Sequence, residues 1–238
     1  MGDNARAPYG GKSEGEIRAL AEEAFAKLSE YPLKAAVIAC NTVTAEAAAQ
    51  LRAEYPFPVV GVEPAIRPAV LSGARRVLVL ATGATLSSPR FRGLCALFPE
   101  AEMLPFAPES LARDIEENIF RLKKVELSRH LPRVACDAVV LGCTQYIYLK
   151  KRIEEFYGCP AFDGNAGAAK RLSSLLQNEG FSPRFAQFVG TADHQAQKTN
   201  ICSKKFQKKP KNAAIFIEKA KNKNKKVFLT FFNTNKCS

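Results

Sequence analysis

Apolar residues recur along this chain with two distinct periods, and the switch between them marks out its elements. Between residues 13 and 28, Ile17, Leu20, Ala21, Ala24 and Leu28 fall at helical spacing, with Ser13 placed as N-cap and Glu16 as its capping-box partner. Residues 35–39 form instead a short continuous apolar run, the pattern of a strand buried on both faces of a parallel sheet. An alanine-rich helical pattern over 44–53 follows and stops before Tyr55 and Pro56. Further apolar runs at 59–62, 75–80 and 138–141 predict strands, with helices over 89–97, 110–123 and 149–156.

Strands alternating with helices imply parallel βαβ units, and in such folds ligands bind beyond the carboxyl ends of the strands. Two of those strand ends resemble one another. Val37-Ile38-Ala39-Cys40-Asn41-Thr42 leads through a helix to Tyr55-Pro56, and Val140-Leu141-Gly142-Cys143-Thr144 leads through a helix to Tyr157-Gly158-Cys159-Pro160. The shared order of strand, small residue, cysteine, polar residue, helix, tyrosine and proline marks an internal repeat.

At 238 residues and 47% apolar, the chain has room for one large α/β domain or two small ones. No run approaches the ~18 apolar residues of a membrane span, and the start has no secretory pattern, so a cytoplasmic protein is expected. The net charge of +12 would suggest a polyanion partner if it were evenly spread. It is not: residues 198–238 hold twelve lysines against one acid, Glu218, and the preceding body is nearly neutral. This Lys- and Asn-rich tail predicts disorder or a marginal helix, and no interleaved stacking aromatics mark a specific nucleic-acid module.

The seven cysteines are odd in number and include no Cys-x-x-Cys, and His130 and His194 lie apart from any cysteine pair. Free thiols are therefore expected, with neither a disulfide framework nor a metal site. Cys95, Cys136, Cys159, Cys202 and Cys237 are expected to behave as small hydrophobes. Cys40 and Cys143 differ, because each falls where a buried strand meets a helix start, whose unpaired N–H groups and dipole favour an anion and a lowered thiol pKa. Facing each other across a ligand, one thiolate could take a proton from carbon while the other thiol delivers one to the opposite face.

Five segments taken in order carry a resemblance: Gly2-Asp3-Asn4-Ala5-Arg6-Ala7-Pro8-Tyr9-Gly10-Gly11-Lys12-Ser13, Ala39-Cys40-Asn41-Thr42, Gly61-Val62-Glu63-Pro64-Ala65, Leu80-Ala81-Thr82 with Thr85, and Leu141-Gly142-Cys143-Thr144. Together they resemble glutamate racemase. The resemblance implies an α/β isomerase with two pseudo-symmetric, doubly wound parallel-sheet domains and an active site in the cleft between them. It would interconvert L- and D-glutamate for peptidoglycan synthesis with no cofactor and no metal. The first domain would comprise residues 1–62 with 165–197, the second 63–164, and 198–238 the tail.

By the same resemblance Cys40 and Cys143 match the two catalytic bases, and Pro8, Tyr9, Gly10, Asn41, Thr42, Thr82, Thr85 and Thr144 match substrate-binding positions. Glutamate is the implied partner, with a homodimer possible and neither membrane nor specific nucleic acid expected. Taken singly, Tyr9 could form a turn, Asn41 and Thr42 could cap a helix, and Glu63-Pro64 could begin one. Gln145 stands where the family usually has histidine, and its amide cannot titrate near neutrality, so Cys143 must be activated by its helix terminus or another group. The family's opening strand and Asp-Ser-Gly turn have no counterpart before Asp3, which leads to an expectation of low turnover. The alternatives are an aspartate or hydantoin racemase of the same superfamily, or a non-catalytic remnant whose basic tail binds polyanions.

Overall fold

In the computed structural model, residues 2–3, 5–177 and 226–230 are described. Helix α1 (Glu14–Ser29) starts at its capping box: the Ser13 hydroxyl accepts from the Glu16 N–H, and the Glu16 carboxylate accepts from the Ser13 N–H at 3.0 Å. Then come β1 (Leu33–Ile38), α2 (Asn41–Glu54) and β2 (Val59–Gly61), which pairs with β1 in parallel. The unbroken apolar character of β1 follows from burial of both its faces. Ala36 and Ile38 pack with Ile17 and Phe25 of α1 and Leu51 of α2, whereas Ala35 and Val37 pack with Leu172 and Leu176 of α9 (Asn165–Gln177).

The second sheet is built the same way. Its strands are β3 (Arg76–Ala81), β4 (Glu102–Phe106), β5 (Ala138–Gly142) and β6 (Ala161–Asp163), ordered β4-β3-β5-β6 and parallel throughout. Val77, Val79, Ala138 and Val140 face α3 (Ile66–Leu71) and α5 (Pro89–Ala96) through Ile66, Val70 and Phe91. Leu78, Leu80, Val139 and Leu141 face α6 (Leu111–Glu117), α7 (Leu127–His130) and α8 (Lys150–Tyr157) through Leu111, Ile115, Leu127 and Ile153. Each such aliphatic side chain contributes about 1.5–3 kcal/mol when fully buried. The fold is mixed α/β with two parallel sheets, and the short helix α4 (Gly83–Ser87) follows β3 toward the first sheet.

Three details depart from the sequence pattern. Helix α2 begins at Asn41 rather than Thr44. The helix expected over 110–123 stops at Asn118, whose side-chain amide donates to the Asp114 carbonyl at 3.0 Å and carboxylate at 2.8 Å; the chain resumes as a 3-10 turn, Leu122–Lys124. The tail departs over five residues: Lys226–Thr230 forms β7, parallel to β1, with Val37 opposite Leu229 and Ile38 opposite Thr230. The first sheet is therefore ordered β2-β1-β7. The rest of the tail lies outside the described residues. Among the described residues no helix is long and apolar enough to cross a membrane.

Candidate active site

Both cysteines stand where a parallel strand hands over to a helix. Cys40 is the N-cap of α2, and Cys143 follows β5 and caps the 3-10 helix Thr144–Leu149. Their backbone angles nearly coincide, φ −142° and ψ 122° for Cys40 against φ −140° and ψ 133° for Cys143, so the repeat extends to local geometry. The Cys40 sulfur receives the N–H groups of Val43 and Thr42 and the Thr42 side chain, while Cys143 receives those of Gln145 and Tyr146. These donors favour a thiolate, as the sequence suggested.

The net effect is nevertheless opposite to the expected lowering. Burial pushes both thiols up, and Cys143, with the charges of Cys40 and Glu116 adding to its burial, is pushed up to about 12. That Cys143 senses Cys40 electrostatically brings the two strand ends into one neighbourhood.

Hydroxyls bridge the two sheets beside the cysteines. Thr42, in the first turn of α2, lies 2.8 Å (Oγ1 to Oγ1) from Thr82 and 3.4 Å from Thr85; Thr82 and Thr85 are 3.0 Å apart. Thr82 is also the N-cap of α4, accepting from the Thr85 N–H at 3.2 Å. Gly10 packs directly on this group: a Cβ there would stand 2.7 Å from Thr82 Cγ2, so only glycine fits. Asn41 is buried at 3% exposure, and its Oδ1 has no hydrogen-bond partner among the described residues. A buried acceptor left unpaired costs about 1–3 kcal/mol.

The other expected positions are placed differently. Pro8 is exposed and follows a cis peptide bond. Tyr9 is buried in the core of the first sheet, and its hydroxyl donates to Asp3 at 2.5 Å. Asp3 is also paired with Arg6 at 2.9 Å, so this segment is tied down by its own charges. Thr144 approaches Gln145 Oε1 at 3.5 Å. Glu63, given a helix start as its bland alternative, is clasped by Arg90 through two hydrogen bonds of 2.8 and 2.9 Å.

One neighbour of Cys143 was missed. Cys143 donates its S–H to Gln145 Oε1 at 2.8 Å, and Gln145 Nε2 donates to Glu116 at 3.0 Å. Glu116 reaches the site from α6, 29 residues away, and no local motif marks it. A groove of about 790 Å³ lined by Arg52, Glu63, Arg90, Asp163 and Arg171 contains neither cysteine. Among the described residues no three His, Cys, Asp or Glu side chains are grouped to hold a metal.

The Asp/Glu/Hydantoin racemase family profile matches residues 3–172. A glutamate racemase of Clostridium perfringens is 36% identical over 187 residues, covering 74% of this chain and 72% of the relative. The Escherichia coli glutamate racemase, solved with L-glutamate and an activator, UDP-MurNAc-ala, is 32% identical with a TM-score of 0.65, covering 74% of this chain and 70% of that one. That of Francisella tularensis, solved with D-glutamate, is 29% identical with a TM-score of 0.62, covering 75% and 70%. With the strand-end cysteines and the paired parallel sheets, these matches place the chain in the Asp/Glu/Hydantoin racemase family, whose members are isomerases.

Proposed function

We propose that this protein racemises glutamate, with Cys40 and Cys143 as the two proton-transfer groups and neither cofactor nor metal taking part. The observation that carries the reading is the pair of cysteines with near-identical backbone geometry capping helices at the carboxyl ends of two parallel sheets. Beside them lie the unpaired Asn41 Oδ1 and the hydroxyls of Thr42, Thr82 and Thr85. The ammonium of an amino acid is a fitting donor for Asn41, and the hydroxyls with Thr144 and the Gly10 turn suit its carboxylates.

The reaction needs one thiolate and one thiol. One cysteine takes the Cα proton while the electron pair of the broken C–H bond passes toward the α-carboxylate. The opposite thiol then gives its proton to the other face of the carbon, which inverts it. Burial holds the Cys143 thiol well above neutral pH, so the enzyme alone makes little base. A substrate ammonium within ~4–6 Å of the sulfur favours the thiolate, which couples activation to binding.

The two-domain division of 1–62 with 165–197 and 63–164 belongs to this reading, supported by α9 packing back on β1 and β2. So do supply of D-glutamate for peptidoglycan and a cytoplasmic location. The test is racemisation of glutamate, aspartate and a hydantoin by the parent chain and by Cys40→Ser and Cys143→Ser. Glutamate turnover lost in both variants supports the reading; undiminished turnover in either removes it, and preference for aspartate or the hydantoin reassigns the substrate.

A further inference from the structure

We propose that Cys136 and Cys159 form a modification site, a dithiol that a peroxide converts into an intramolecular disulfide. The two sulfurs lie 3.7 Å apart, and both cysteines are half-buried, so small oxidants reach them. They precede β5 and β6, at the opposite ends of these strands from Cys143, and the proton transfers described above do not use them. Adjacent strands run about 4.8 Å apart, which falls within the Cα spacing that a disulfide spans.

The neighbouring backbone is held in place. The Asp137 carboxylate accepts the N–H groups of Arg75 and Arg76 at 2.9 and 2.7 Å, and the carbonyl of Pro160 accepts the Val139 N–H at 3.0 Å. Gly158, at φ 67°, ends α8 in the left-handed conformation just before Cys159. Closing from 3.7 Å to a bond of about 2.05 Å therefore needs side-chain rotation rather than rearrangement of the strands.

The chemistry balances as a two-electron oxidation. The two sulfurs share one S–H···S contact at 3.7 Å in which either can be the donor, so either thiol can react first, and Cys159 is taken as the attacking one. Cys159 attacks the peroxide, the O–O bond breaks, and a sulfenic acid and one water result. Cys136 then attacks the sulfenic sulfur, forming S–S as S–O breaks and a second water leaves. Burial holds both thiols above their ordinary range, which makes the oxidation slow and the reduced pair the resting form. The bridge closes a loop containing β5, Cys143 and Gln145, so it restrains the segment that carries one of the two candidate bases.

The full-length chain is exposed to hydrogen peroxide and then digested with trypsin without reduction. The expected product joins the peptides 134–150 and 153–170, with fragmentation placing the link at Cys136 rather than Cys143, and dithiothreitol reverses it. In Cys136→Ser and in Cys159→Ser the link is lost and the remaining thiol proceeds to sulfinic acid. The mapping on the unsubstituted chain stands even if a variant folds poorly. The proposal is overturned if Cys136 and Cys159 stay reduced while other cysteines oxidise, or if either pairs instead with Cys143, Cys202 or a second molecule.

Discussion

Replacing Glu116 with glutamine tests how this site holds a proton. Gln145 now presents its carbonyl oxygen to the Cys143 thiol at 2.8 Å because Glu116 holds its amide nitrogen at 3.0 Å. An acceptor facing sulfur stabilises the thiol, whereas a donor there would stabilise the thiolate. Turning the Gln145 amide over is blocked while its oxygen would meet the Glu116 carboxylate. A glutamine at 116 can accept as well as donate, and it also removes one of the charges raising Cys143.

A hydrogen bond to a charged group contributes about 1.5–3 kcal/mol, equivalent to roughly a ten- to hundredfold larger thiolate fraction below the transition. Removing negative charge lowers the pKa, so the transition moves to lower pH. Alkylation of Cys143 by iodoacetamide, followed across pH by peptide mass spectrometry in the parent and in Glu116→Gln, measures this directly. An unchanged profile, or one moved to higher pH, would refute the reasoning.

Other outcomes follow from the same geometry. Asn41→Leu should leave the thermal midpoint unchanged or higher, because a buried unpaired oxygen is removed, while KM for glutamate rises at least about tenfold. Gly10→Ala should push Thr82 off Thr42 and destabilise the fold by about 1–3 kcal/mol, read from urea midpoints; an unaffected midpoint would contradict the close packing. Both candidate bases have folded pKa values raised above the unfolded thiol's roughly 8.5, so their contribution is full below that pH and is lost as pH rises through the folded values, about 12 for Cys143. Urea midpoints from pH 7 to 10.5 should therefore fall, and fall less steeply in Cys143→Ser. Phe228→Pro should break the pairing of β7 with β1 and speed hydrogen exchange across Leu33–Ile38, with unchanged exchange counting against that strand.

Much of this architecture was legible because β1, β3 and β5 are apolar at nearly every position, which follows from packing on both faces. The strand–cysteine–helix repeat was legible for a related reason: the backbone makes the same turn twice. What escaped was structure without a local signature. Strand β4 lies at a sheet edge, is partly exposed and contains Pro105, whose missing N–H is tolerated at an edge, so no alternation marks it. Strand β6 is only three residues long. Strand β7 lies in a lysine-rich stretch whose composition argues against order, and its pairing depends on an edge of β1 nearly two hundred residues earlier. The same limit hid Glu116, which matters only because α6 brings it to Gln145. Thiol pKa was misjudged because a helix start can be read from sequence, whereas the depth of burial that outweighs it cannot.

The two-thiol account is tested most directly by the source of the hydrogen delivered in one turnover. L-glutamate and D-glutamate are supplied separately in D₂O and the reaction is stopped early. The account predicts that the newly formed enantiomer carries deuterium at Cα while the recovered starting enantiomer carries none, because a different sulfur guards each face. Product that retains the substrate's own protium would show a single base serving both faces and would contradict it.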